Sequence, residues 1–159
     1  MAQNNAALEE ISDILIDCNM FNQLRADELR GAARYFSIGR YNKGDAIFNE
    51  GDPGTFMCVV HEGRVAVIKS DKNGDAVVMG TEGAGRAFGE MAVLDGEPRS
   101  AACVAETNCM LLKLDKTAMD AMLEEQPRVG SKILRVIAIS LSRRMRSSAG
   151  RLVDHLAQS

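Results

Sequence analysis

FGEMAVLDGEPRSAA, running from Phe88 to Ala102, is the stretch on which the reading of this chain turns. It holds a carboxylate at Glu90 and a single base, Arg99, nine residues later, with small neighbours around both. Gly89 permits a close backbone approach. Met91 to Leu94 can form one helical turn that starts at Gly89 and Glu90, and free N–H groups at such a start attract an anion. Arg99 follows Pro98 at the expected head of a strand, where its planar fork can grip a phosphate. Ser100, Ala101 and Ala102 leave room for the bound group. Glu90 repels a phosphate but can accept a hydrogen bond from a sugar hydroxyl. Asp95 and Glu97, beside Gly96, read as solvated turn residues. A plain surface ion pair between Glu90 and Arg99 would contribute about 0–1 kcal/mol and would not need small neighbours. An anion clamp and a hydroxyl acceptor on one segment describe a ribose phosphate.

Outward from this segment, residues 36–126 read as one unit, β in texture as far as about Asp115. Short apolar runs alternate with glycine-bearing turns, the pattern of a small barrel or sandwich. Asp52-Pro53-Gly54-Thr55 reads as a type II turn, with Gly54 at the positive-φ position. Asn73-Gly74 between VAVIKS and AVVMG reads as a tight hairpin. RSAACVAE and CMLLKL supply two more strands, and in the second Met110, Leu112 and Leu114 alternate with Leu111, Lys113 and Asp115.

The flanks are helical. In residues 1–35, Leu8, Ile11, Ile14 and Leu15 recur at helical spacing, and Ala26 to Leu29 opens a second short helix. After a short helix with Met119, Met122 and Leu123, Pro127 starts residues 127–159, read as one long helix with Gly150 its weakest point. Along it Leu134, Ala138, Leu141, Met145, Ser148, Leu152 and His155 form a coiled-coil seam. Ile133, Val136, Ile137 and Ile139 widen the apolar face, as for a helix buried on two sides. The same helix is basic, and a solvated face accounts for most of its charges. The fold class is therefore α+β, mainly β.

The bulk properties exclude several classes. A chain of 159 residues can bury about 70% of its unfolded surface without staples. A net charge of −3 argues against a general nucleic-acid binder. No run approaches the roughly 18 apolar residues of a membrane span, and the acidic N-terminus is unlike a secretory signal. Cys18, Cys58, Cys103 and Cys109 are scattered, which fits small buried hydrophobes in a reduced, cytoplasmic compartment rather than a metal or redox site. No catalytic constellation is recognisable, so neither an enzyme nor a metal site is expected. GAGRAF, at Gly83 to Phe88, imitates part of a dinucleotide fingerprint, but its sixth position is Phe88 and its flanks are strands rather than a βαβ unit.

The segment FGEMAVLDGEPRSAA resembles the phosphate-binding cassette of cyclic nucleotide-binding domains. YNKGDAIFNEGDPGTFMCVVHEGRVAV resembles the first half of that family's β-roll, and LSRRMRSSAGRLVDHL resembles the long helix of the bacterial catabolite activator group. The resemblance covers about residues 12–156. It implies a double-stranded β-roll in which Glu90 takes the ribose 2′-hydroxyl and Arg99 the cyclic phosphate. Backbone amides of Gly89, Glu90 and Met91, with Ser100, would complete the phosphate cradle, and Phe88 and Ala101 would line it. It also implies that Ser148 reaches the purine and that Arg144 pairs with Glu90. Two positions depart from the pattern. Ala149 lacks a hydroxyl that the activator group places there, and Glu82 stands where the family commonly has an apolar residue.

The expected function is a cyclic nucleotide sensor. Cyclic AMP is the expected ligand on the strength of Ser100, with cyclic GMP the alternative. A homodimer through the long helix and output to a downstream protein are expected. The activator group's helix-turn-helix would follow Ser159, so no DNA binding is expected of this chain alone. Two alternatives keep the fold: a dimeric interaction module without ligand, and the sensor half of a longer transcription regulator.

Overall fold

The computed structural model describes residues 2–159. The chain opens with α1 (Ala2–Asp17), a 3₁₀ turn at Asn19–Phe21, α2 (Ala26–Ala32) and a second 3₁₀ turn at Ala33–Tyr35. Eight strands follow: β1 (Phe36–Tyr41), β2 (Ala46–Phe48), β3 (Phe56–Glu62), β4 (Val65–Ser70), β5 (Ala76–Glu82), β6 (Ala87–Phe88), β7 (Ala102–Ala105) and β8 (Cys109–Asp115). Between β6 and β7 lies one short helix, α3 (Glu90–Asp95), and the chain closes with α4 (Lys116–Glu125) and α5 (Pro127–Ala157).

The strands form two antiparallel four-stranded sheets, ordered β1-β8-β3-β6 and β2-β7-β4-β5. Their facing sides bury Phe48, Cys58, Val60, Val65, Phe88, Cys103 and Leu111 as the interior of the roll. The outer face of the first sheet packs on the helices, in a second core with Leu15, Phe21, Leu29, Met57, Leu112, Met122 and Ile133. Strand β8 lies in the middle of this arrangement. Its alternation sends Leu111 into the roll and Leu112 and Leu114 toward the helices, so both faces are apolar and Lys113 interrupts them only near the strand's end. Three of the cysteines, Cys58, Cys103 and Cys109, are buried free thiols.

Helix α5 is fixed at its start. Pro127 occupies its first turn, where the missing N–H costs nothing. Val129, Gly130, Ile133 and Ile137 then face the core at helical spacing. Lys132 Nζ donates to both oxygens of Glu28 at 2.8 Å, tying α5 to α2. That ammonium, with the Arg25 N–H, holds the Glu28 carboxyl below the ordinary range. Beyond Leu141 the helix leaves this core. Leu134 is 36% exposed, Met145 70% and Leu152 59%, so the seam faces outward except at Leu141, which packs on the core, while the Ile133/Ile137 stripe faces in.

Two turn readings need correction. Among the glycines with positive φ is Gly51 (φ 86), but not Gly54, so Asp52 to Thr55 is not the expected type II turn. Gly54 is required for space instead: a Cβ there would stand 2.0 Å from the Cβ of Ala92 in α3. The hairpin at Asn73-Gly74 forms, with Gly74 at φ 87, but as a loop from Asp71 to Asp75 whose N–H groups at Asn73 and Asp75 donate to the Asp71 carboxylate.

The Gly54 contact predicts that Gly54→Ala pushes α3 off its seat. Overpacking of this kind costs about 1–3 kcal/mol, read as a lower urea midpoint. An unchanged midpoint would mean that α3 is not held by this contact.

Candidate functional site

A cavity of about 190 Å³ lies between α3, the loop before β7, and α5. Phe88, Gly89, Glu90 and Met91 line it from the α3 side, and Arg99, Ser100 and Ala101 from the other. Arg144 closes it from α5. Ser148 is not in this cavity. It lines an adjoining groove of about 620 Å³ that shares Val67 and Arg144 with the cavity and runs between β5 and α5.

Gly89 sets the geometry. Its φ of 76 places it in the left-handed region as the residue before α3. A Cβ there would meet Arg99 Nη1 at 2.7 Å and the Phe48 ring at 3.1 Å. The close approach is made to the protein's own arginine as well as toward the cavity. Gly89 stands just before the first N–H groups of α3, which have no acceptor within a helix, and Glu90, Met91 and Ala92 of that helix line the cavity.

Arg99 lies three residues ahead of β7 rather than at its first residue. It is held there by its main chain. Its N–H donates to the Asp52 carbonyl and its carbonyl accepts from Gly51 N–H, both at 2.8 Å. The side chain is 3% exposed. Nη1 donates to the Gly89 carbonyl at 2.6 Å and Nη2 to the Phe56 carbonyl. The guanidinium carbon sits 3.8 Å from the Phe48 ring centre and 5.0 Å from that of Phe56. Nε is buried and has no partner among the described residues.

Burial pushes the Arg99 pKa down. A guanidinium nevertheless stays charged. The two nearest thiols do not balance it, since burial pushes Cys58 and Cys103 up to about 12. The result is a dry cation that lines the cavity and keeps N–H donors unused.

Glu90 is the complementary group. It is 0% exposed. Arg144 Nη1 approaches its Oε1 at 3.0 Å, close enough for an ion pair but not aligned as a hydrogen bond. Neither carboxylate oxygen has a hydrogen-bond donor among the described residues. Such a group is costly to bury unless a donor reaches it. Arg144 also donates from Nη2 to the Ala87 carbonyl at 2.5 Å and lies 3.7 Å from Glu82. It therefore pins α5 to the cassette at the point where the helix leaves the core.

Phe48 and Phe56 were missed by the sequence reading. Each lies on a strand more than forty residues before Arg99, and nothing local ties them to it. The available signal was scarcity: the chain has five phenylalanines, and Phe56 and Phe88 each place their ring centre 6.0 Å from that of Phe48 here. No group of three or more His, Cys, Asp or Glu among the described residues could hold a metal ion. No helix among them is long and apolar enough to cross a membrane.

Comparison with known proteins fits this geometry. In fold, the chain is similar to a cyclic nucleotide-binding domain from Methylobacillus flagellatus, at 31% identity and a TM-score of 0.82, covering 93% of this chain and 83% of that one. In sequence, it is similar to the cyclic AMP receptor protein of Thermus thermophilus, 32% identical over 129 residues, with 81% of this chain and 58% of that protein covered. It is also similar to a CRP-like cAMP-activated global transcriptional regulator of Mycobacterium tuberculosis, 22% identical over 144 residues, covering 91% and 62%. The chain thus spans 58–62% of the length of these curated relatives. Residues 38–126 match the family described as the cyclic nucleotide-binding domain. With that match running from β1 to the end of α4, the chain belongs to the cyclic nucleotide-binding domain family.

Proposed function

We propose that this chain is a cyclic AMP sensor without catalytic activity, which passes binding through α5 to a partner protein as a homodimer. The observation that carries the reading is Glu90: a fully buried carboxylate whose two oxygens lack donors among the described residues, next to a buried arginine with spare N–H groups. A ligand that brings a hydroxyl to the first and an anion to the second satisfies both. A ribose cyclic phosphate does so from one ring system.

In this reading Arg99 Nε and the first N–H groups of α3 bind the phosphate, with Ser100 beside them, and Glu90 orients the ribose. The rings of Phe48 and Phe56 keep water from the guanidinium, which strengthens its hold on an anion. The preference for adenine rests on Ser100 and on the Thermus thermophilus relative named as a cyclic AMP receptor. Calorimetric titration with cyclic AMP, cyclic GMP and cyclic di-GMP tests it. Cyclic AMP should bind tightest, at one molecule per chain. No heat from any of the three would sink the sensor reading.

The dimer reading rests on the exposed apolar stripe of α5. Leu141 is a poor place to test it, because it is half-buried against the helical core. Leu152, at 59% exposed, is cleaner. Leu152→Glu should convert a sedimenting dimer to a monomer, since two like charges would meet in an apolar seam. Cyclic AMP should still bind that monomer. A parent protein that sediments as a monomer with and without nucleotide would remove the dimer and leave the sensor.

A further inference from the structure

Glu82 stands where the family pattern calls for an apolar residue, and the structure gives its carboxylate a distinctive setting. It ends β5, opposite Val65, and its side chain is 13% exposed. Arg86 Nε lies 3.4 Å from one oxygen and Arg144 Nη2 lies 3.7 Å from the other. Neither contact is a hydrogen bond. The carboxylate is therefore held in place between two guanidinium groups, while its acceptor capacity stays free.

Its position gives that capacity a use. The cavity at the cassette holds about 190 Å³, and Glu90 and Arg99 fix a sugar and a phosphate inside it. The base must then project past Val67 and Arg144 into the adjoining groove. Glu82 is the one carboxylate lining that groove among the described residues; its other polar groups are arginines and hydroxyls. The floor beside it is open, since a Cβ on Gly80 would meet nothing within 4 Å. A carboxylate accepts but cannot donate, so it favours a base edge that bears N–H.

We propose that Glu82 reads the base, accepting a hydrogen bond from the 6-amino group of adenine. This deepens the cyclic AMP reading and rests on it. The plainer role, support for Arg86 and Arg144, makes a different prediction. A supporting residue changes affinity for every cyclic nucleotide alike, whereas a reading residue changes the ratio between bases.

The test compares cyclic AMP with the cyclic monophosphate of purine riboside, which lacks the amino group, in the parent, Glu82→Leu and Glu82→Gln. A hydrogen bond to a charged acceptor should give the parent a preference for cyclic AMP of at least about tenfold. In Glu82→Leu the preference should fall to within about threefold. Glu82→Gln, whose amide oxygen still accepts, should keep an intermediate ratio. A parent with no preference, or a leucine variant that weakens both ligands by the same factor, overturns the assignment and leaves the sensor reading intact. A parent that binds neither ligand brings down both.

Discussion

Arg99→Ala is expected to lower affinity for cyclic AMP by about 3–5 kcal/mol, the scale for removing one partner of a buried charge pair. The geometry explains why the loss should be so large. Arg99 is 3% exposed, its two terminal nitrogens hold the carbonyls of Gly89 and Phe56, and its guanidinium keeps further N–H donors for a ligand. Removing it takes away the anion's counter-charge and also the strut that keeps Gly89 at the head of α3. Cys58 and Cys103, both pushed up to about 12, are neutral at pH 7, so no neighbouring thiolate cancels the cation that the phosphate would use. Arg99→Lys separates charge from shape. An ammonium restores the charge, but it cannot span both carbonyls and still present a donor to the phosphate. Its affinity should fall well below the parent's and stay above that of the alanine variant. Calorimetry alongside urea unfolding separates the site from the strut. A lysine variant that binds cyclic AMP as tightly as the parent would show that only charge matters and would end the clamp assignment.

Much of this site is legible in the sequence because its parts lie on one short segment. Gly89, Glu90 and Arg99 needed only local reasoning: a residue permissive in φ, a turn of helix, and an acid and a base with small neighbours. The aromatic cage was not legible, because Phe48 and Phe56 reach Arg99 only through the pairing of distant strands. The same limit explains the Gly54 error. Asp-Pro-Gly-Thr carries a turn signal from its own composition, whereas the actual demand on Gly54 comes from Ala92, thirty-eight residues away. The seam of α5 was readable as a period of apolar residues, but not which half would be buried within the chain. Ile133 and Ile137 meet the N-terminal helices, while Met145 and Leu152 remain outside. Glu82 could be noticed from sequence as a misfit; only the meeting of β5 with α5 places it in a groove between Arg86 and Arg144.

Glu90 should show opposite effects on ligand and fold. Glu90→Gln keeps the shape of the side chain and removes its charge, so a sugar hydroxyl loses a charge-assisted acceptor. Affinity for cyclic AMP should fall by about 1.5–3 kcal/mol, the scale for hydrogen bonds to charged groups. The protein on its own should not weaken, because the parent buries that carboxylate with no donor to either oxygen among the described residues, and burying a charge in this way costs stability. Arg144, whose side chain is 30% exposed, keeps its bond to the Ala87 carbonyl and its place near Glu82. The urea midpoint without nucleotide should therefore stay level or rise, as expected where a site trades stability for function. The 2′-deoxy analogue of cyclic AMP locates the interaction. It should lose about as much as the mutation when bound to the parent, and little more when bound to Glu90→Gln, because the two changes remove the same contact. If the losses instead add in full, Glu90 does not touch the 2′-hydroxyl. If the midpoint falls by more than about 1 kcal/mol in Glu90→Gln, the Arg144 pair outweighs the burial of the charge, and Glu90 is then foremost a tether that holds α5 against the roll.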